Sequence, residues 1–230
     1  MNVRAEIPGL LNGLSLLRGL DSQACDRLAA EASLLKVPRG GMVFRQGESC
    51  SGLHVVVDGQ VKLLMQTGNG NERVFDILGP DTTFGDAALF LNLPHPVAAE
   101  AVVDTRLVHF SRESLLRELA SDGPFALRMI ERLARRIIRH TEDLKSYMLL
   151  SGTQRVICFL LHELPDDIGD AGEVSVTLPT RKGVIASRLN LTQEHFSRIL
   201  RDLTAAKLIE VSGAQVRIPD VGRLRDYQLA

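Results

Sequence analysis

The first clear pattern along the chain is helical. Residues 21–35, DSQACDRLAAEASLL, place Leu28, Ala32 and Leu35 at helical spacing behind an Asp21–Ser22 capping candidate, which predicts a short amphipathic helix. From 36 to about 112 the period changes. Short β-rich runs, MVF, LHVVV, VKLLMQ, VFDIL and TRLVHFS, are punctuated by Gly40-Gly41, Gly47, Gly59, Gly68, Gly70, Gly79-Pro80 and Gly85. Closely spaced strands with glycine turns predict an all-β sandwich or barrel, closed as a β-roll or jelly roll. QTGNGNE reads as a hairpin turn between two of them, because Asn-Gly tolerates positive φ.

A long helix comes next. Pro124 opens it, and FALRMIERLARRIIRHTEDLKSYMLL continues without Gly or Pro. Ile130, Leu133, Ile137, His140, Leu144 and Tyr147 alternate steps of three and four, a heptad seam with Arg132, Arg135, Arg136, Arg139, Glu142 and Asp143 between its members. One helix cannot bury such a seam by itself. The pattern therefore predicts a parallel two-fold homodimer formed through this helix.

From about 151 a second unit begins. TQRVICFLLHEL is an amphipathic helix, PDDIGDAGE a polar loop and VSVTLP a short strand. TRKGVIASRL and TQEHFSRILRDLTAAKL form two helices joined at Asn190, and IEVSGAQVRI closes as a hairpin turned at Ser212-Gly213. Helix, short turn, helix and wing make a winged helix-turn-helix. The predicted class is α+β, with a β-roll and N-terminal helix over 1–122, a dimerisation helix over 123–150 and the winged unit over 151–230.

Composition narrows what these parts do. At 230 residues the chain has room for two small cores, and 27 Lys+Arg against 28 Asp+Glu leave a net charge of −1. No global field draws the protein to a polyanion, so contact with nucleic acid requires a local basic patch. The second helix of the pair supplies one. With Thr192 as its N-cap and Gln193 as its first residue, helical geometry puts Glu194, Ser197, Arg198 and Arg201 on one face. Phe196, Ile199, Leu200 and Leu203 point the other way, to seat the helix in its domain. Arg198 can fork to guanine O6 and N7 in the major groove, Glu194 can accept from a cytosine amine, and Ser197 lets the helix approach closely. Thr180, Arg181 and Lys182 start the preceding helix, where phosphate is commonly clamped.

Other classes lose support. No run approaches the roughly 18 apolar residues of a membrane span, and the N-terminal segment, interrupted by glycines and a proline, lacks a signal-peptide core; the protein is expected in the cytoplasm. Cys25, Cys50 and Cys158 form no CxxC pair, which disfavours zinc and iron–sulfur sites and suits buried, inert thiols. There is no HxH pair of the kind a cupin-like metal enzyme needs, no Ser/His/Asp or Cys/His set and no Walker loop, so no metal site and no enzyme is expected. A ligand-binding module without a DNA role would leave the helix pair and its basic face unexplained.

The glycine pattern of the roll, FRQGE at 44–48, VVVDGQVKL at 55–63 and FGDAALF at 84–90, resembles that of the bacterial CRP/FNR transcription regulators, whose order of roll, long helix and winged helix matches nearly the whole chain. The resemblance implies a cyclic-nucleotide-binding-like jelly roll that senses a small effector and a homodimer that acts through RNA polymerase. Glu194-x-x-Ser197-Arg198 resembles the FNR-type recognition helix, which implies a target near the palindrome TTGAT-N4-ATCAA. Cyclic-AMP binders of the family carry Gly-Glu followed by an Arg-Ser or Arg-Thr pair; here Asp86 replaces the glutamate and Pro96-Val97 fall where the pair belongs, so cyclic nucleotide is disfavoured. The N-terminal cysteine cluster of the oxygen sensors is also missing. LPHPVAAEAV and FSRILRDL are most similar to the DNR-type subgroup, associated with nitric oxide and haem. An effector pocket is thus expected around Gly85, Asp86, Ala87 and His95, with His95 the first choice of haem ligand ahead of His54, His109, His140 and His162, and His195 set aside as part of the recognition helix.

Overall fold

In the computed structural model, residues 3–66, 72–164 and 172–229 are described; the predicted turn in QTGNGNE and most of the PDDIGDAGE loop lie outside them. The chain divides into two compact units, Met1–Ile137 and Ile138–Ala230.

The first unit begins with α1 (Val3–Leu11), a 3-10 turn (Ser15–Leu17) and α2 (Ser22–Glu31). Asp21 caps α2, its carboxylate accepting the N–H of Ala24 at 2.9 Å. The helix expected over 21–35 stops at Glu31, because Ala32 turns extended (φ −74, ψ 153) and Ser33–Val37 form a strand, β1. Leu35 has helical spacing from Leu28, but five registered pairs between Ser33–Val37 and Thr105–His109 outweigh that local preference.

The remaining strands are β2 (Met42–Phe44), β3 (Gly52–Asp58), β4 (Val61–Gln66), β5 (Glu72–Leu78), β6 (Thr83–Phe84), β7 (Ala98–Ala101) and β8 (Thr105–Ser111). They make two four-stranded antiparallel sheets, ordered β1-β8-β3-β6 and β2-β7-β4-β5. Between the sheets Phe44, Val56, Val61, Leu78, Phe84 and Leu107 are buried together. The outer face of the first sheet is covered as well: Leu53, Val55, Val108 and Phe110 pack with Leu28 of α2 and with Leu115 of α4 (Arg112–Ser121). A strand buried on both faces reads as a continuous apolar run, which is why LHVVV does not alternate. α4 is tied to α2 by Arg27, whose guanidinium donates twice to the buried Glu118 carboxylate at 2.9 and 2.7 Å.

Two short elements that the pattern does not announce shape the interior: β7, and α3 (Asp86–Leu91), which Gly85 enters with φ 89. Gly52 matters for a different reason. A Cβ there would lie 1.9 Å from the Phe110 carbonyl oxygen and 2.8 Å from His109 Nε2.

The long helix, α5 (Gly123–Leu149), starts where Asp122 accepts the N–H of Phe125 at 2.7 Å. Phe125 and Met129 are buried in the roll's outer cluster and Leu133 packs against it. Arg132 pairs with Asp81 at 3.3 Å and bonds Ser15, and Arg136 pairs with Asp86 and donates to both oxygens of Thr83. The units part inside this helix, at Ile137–Ile138, so its first half packs as part of the roll.

The second unit contains α6 (Gly152–His162), β9 (Val174–Thr177), α7 (Lys182–Arg188), α8 (Gln193–Ala205), β10 (Glu210–Ser212), β11 (Gln215–Ile218) and α9 (Val221–Leu229). Ser151 and Gln154 close a reciprocal capping box on α6. The sheet runs β10-β11-β9, with Gly213 (φ 62) at the wing turn. Ile157, Leu160, Ile185, Phe196, Leu203 and Val216 form its core. Tyr147 donates to the Arg188 carbonyl and Arg188 pairs with Asp143 at 3.2 Å, which fastens the end of α5 to α7.

Gly52→Ala pushes a methyl into a strand backbone, so β3 or β8 must move. The variant should lose about 2 kcal/mol or more of unfolding free energy in urea. An unchanged midpoint would show that the β3–β8 pairing is looser than described.

Candidate functional site

The helix pair is set by local chemistry. α7 ends at Leu189, Asn190 takes the left-handed conformation (φ 54), and the Thr192 hydroxyl caps α8 by accepting the N–H of His195 at 3.2 Å. Phe196, Ile199, Leu200 and Leu203 are buried beneath α8. Gln193, Glu194, Arg198 and Arg201 are exposed on its other side and Ser197 is half-buried. Among the described residues, no side chain pairs with Glu194, Arg198 or Arg201. A cleft of about 650 Å³ runs between Lys182 and the α8 face at Gln193, Glu194, Ser197 and Arg201, with Val211 of the wing at its edge. Arg198 lies one step further round the helix, outside that lining.

The preceding helix starts later than TRKGVIASRL suggests. Lys182 is its first residue and Arg181, exposed, its N-cap, while Thr180 precedes both with a buried Oγ1 that has no hydrogen-bond partner. Lys182 and Arg181 thus stand at the helix start as expected, and Thr180 lies outside it.

On α5 the heptad seam divides. Ile130, Ile137 and Leu144 are 60%, 67% and 56% exposed, and Leu127 and Met148 join them at 57% and 74%. With Ala134 and Thr141 between, they form one unbroken stripe in steps of three and four. Leu133 and Tyr147 are engaged inside their own units, and His140 is half-buried. The stripe available to a partner is therefore 127-130-134-137-141-144-148, turned by one position from the predicted seam at every second step.

At one end of the roll interior lies a cluster of rings. The His95 ring stacks on Phe44 with centroids 3.6 Å apart, and His54 stacks on Phe84 at 5.1 Å and lies 4.7 Å from His109. Burial, reinforced by His109 and His95, pushes His54 down to about 3, and burial also lowers His95 and His109. The cluster is neutral imidazole at ordinary pH. Of the expected pocket residues, Gly85 and His95 meet: a Cβ on Gly85 would lie 3.6 Å from both His95 Cε1 and His54 Nδ1. Asp86 turns to Arg136, and Ala87 is exposed. His54, Phe44 and Arg136 belong to this site although the expected pocket omitted them. The inward alternation of His54 with Val56 was the available signal for the first; Arg136, distant in sequence, gave none. The thiols of Cys25, Cys50 and Cys158 are half-buried rather than buried, and burial raises each of them, which keeps the thiolate scarce.

Comparison with known proteins places both units. Residues 34–122 match the cyclic nucleotide-binding domain and residues 154–227 the Crp-like helix-turn-helix domain. A solved Ruegeria pomeroyi protein described as cyclic nucleotide binding is 31% identical, with all of both chains covered and a TM-score of 0.61. The chain belongs to the CRP/FNR family. The CRP-like cAMP-activated global transcriptional regulator of Mycobacterium tuberculosis is 26% identical over 94% of this chain and 96% of its own. DNR of Pseudomonas aeruginosa is 29% identical over 95% of this chain and 96% of its own, with a TM-score of 0.50. This CRP/FNR protein is accordingly a DNA-binding transcription regulator with an effector-binding domain, not an enzyme.

Its roll departs from the effector chemistry named above. The carboxylate and the guanidinium at α3, Asp86 and Arg136, neutralise each other, and no arginine stands at 94–98 to meet a cyclic phosphate. The residues do not fit a haem either. His95 and His54 are buried, with their ring faces stacked on Phe44 and Phe84. His162 is exposed and His140 lies on α5, both outside the roll interior. No helix among the described residues is long and apolar enough to cross a membrane.

Thr192→Ala removes the cap of α8 and should cost about 1 kcal/mol of stability, whereas Thr192→Ser should restore most of it. Urea denaturation of the three proteins measures this, and equal midpoints would remove Thr192 from the account of why α8 starts where it does.

Proposed function

We propose that the chain is a homodimer that reads a two-fold palindrome through paired α8 helices. One observation carries this: α8 buries one side in its core and presents Gln193, Glu194, Arg198 and Arg201, with the half-buried Ser197, on the other, without side-chain partners among the described residues. Arg198 donates in a fork to guanine O6 and N7, Glu194 accepts from a cytosine amine, and Gln193, Ser197 and Arg201 meet neighbouring edges or phosphates. Arg181 and Lys182, at the start of α7, hold the phosphate backbone. The resemblance of Glu194, Ser197 and Arg198 to the FNR-type helix supports a target near TTGAT-N4-ATCAA. It also supports a role at RNA polymerase in the cytoplasm, with a small effector acting on the roll.

The exposed stripe on α5 supports the dimer. Five large apolar side chains at heptad spacing, each more than half exposed, are what a coiled-coil partner covers. A second copy presents the same stripe, so the contact is isologous, and the two α8 helices then address half-sites about one DNA turn apart.

Fluorescence anisotropy with a TTGAT-N4-ATCAA duplex and a scrambled one tests the reading. Tight binding to the first with a steep fall as salt rises is expected, and equal binding to both would reject it. Arg198→Ala should cost about 1–3 kcal/mol of specific binding and relax preference at one base pair in each half-site. Ile137→Asp should convert the dimer to monomer in sedimentation velocity and abolish palindrome binding. A stable dimer in that variant would place the interface elsewhere.

A further inference from the structure

We infer that His54, His95 and His109 form a proton-operated switch whose charging draws Asp86 away from Arg136 and so loosens α5 from the roll. The inference goes beyond the DNA-binding reading and does not depend on it. The registers His54–His109 and His54–Phe84 set the three side chains in a row across the sheet, and Phe44 bridges His54 and His95 with ring centroids 5.6 and 3.6 Å away. Nδ1 of His54 is buried without a hydrogen-bond partner, a group that normally finds one. It faces Gly85 at the start of α3.

A proton arriving here meets little to neutralise it. The connection from β2 to β3 contributes Glu48, which attracts His95, and Cys50, whose raised thiol is neutral. From β8 comes His109, itself a base, with Nε2 held 3.1 Å from the Ser51 hydroxyl. From α4 comes Arg112, which donates to the Leu89 carbonyl at 2.9 Å. That leaves Asp86 of α3 and Arg136 of α5, already paired. Asp86 follows Gly85, which His54 Nδ1 faces, so it is the carboxylate adjoining that nitrogen in the chain, while Glu48 is the one that attracts His95. An imidazolium that takes Asp86 leaves Arg136 only the two oxygens of Thr83.

The sign follows from the same burial. In the folded roll the imidazoles are held neutral, whereas an exposed histidine titrates near pH 6.5. Below about 6.5 any opened form therefore binds more protons than the closed one, and the open population rises as the pH falls. Charging of the cluster and loss of the Asp86–Arg136 pair are thus linked, and both are favoured at moderate acidity.

Hydrogen exchange of the full chain at pH 7.5 and 5.5, corrected for intrinsic rates, reads the switch without DNA. Exchange in 86–91 and 123–137 should rise on acidification by up to about tenfold per pH unit for each proton taken up, with α6 and α8 unchanged. His54→Phe, which keeps a ring against Phe84 and removes the titrating nitrogens, should weaken that rise, and His95→Phe should act in the same direction. Asp86→Asn should raise exchange in 123–137 already at pH 7.5. Should His54→Phe fold poorly, the imidazole proton resonances of the wild-type chain serve instead: histidines of the cluster that titrate near 6.5 with no change in α5 overturn the inference. An acid response that persists unaltered in both phenylalanine variants, or that spreads evenly through both units, overturns it too.

Discussion

A helix of 27 residues with two adjacent apolar faces sets the terms for this molecule. One face, at Phe125, Met129 and Leu133, is used up on the roll; the other, from Leu127 to Met148, is left in water. The two cannot be satisfied together by one chain, because a single helix cannot turn both sides to the same core. Arg132 and Arg136 decide which face goes inward. Each reaches a carboxylate on the roll, Asp81 and Asp86, and together they hold the helix in rotation as well as in place. Within the roll's own unit, Leu127, Ile130 and Ile137 are exposed where these arginines point inward.

Much of this was legible in the sequence where the period was long and local. The strands of the roll, the capped start of α8 and the wing turn at Gly213 follow from side chains within a few residues of one another. The heptad is a more instructive case. Steps of three and four from Ile130 lead equally well through Leu133 or Ala134, and hydrophobicity favours Leu133. Only the roll, which consumes Leu133, leaves Ala134 in the stripe; the choice was made by residues a hundred positions away. β1 was misread for the same reason. The spacing of Leu28, Ala32 and Leu35 fits a helix, and the partner that converts Ser33–Val37 to a strand is β8, far along the chain.

The candidate sites divide likewise. The exposed polar face of α8 is legible in one helix because its residues are neighbours in sequence. The roll interior is not, since His54, His95 and His109 converge from β3, the loop before β7 and β8, and none has spacing that marks it. Proline on both sides of His95 marks its loop in the sequence. What that loop delivers is a ring stacked on Phe44, with its backbone tied to Gly47 and Glu48 at 2.8 Å.

Near-neutral net charge bears on how such a protein would find its site. At −1 overall there is no general attraction to DNA, and Glu194 places a negative charge on the exposed face of α8. A carboxylate there is repelled by phosphate and rewarded only by an amine on a base edge, so it weakens binding at wrong sequences more than at the right one. Arg198 and Arg201 place positive charge on the same face.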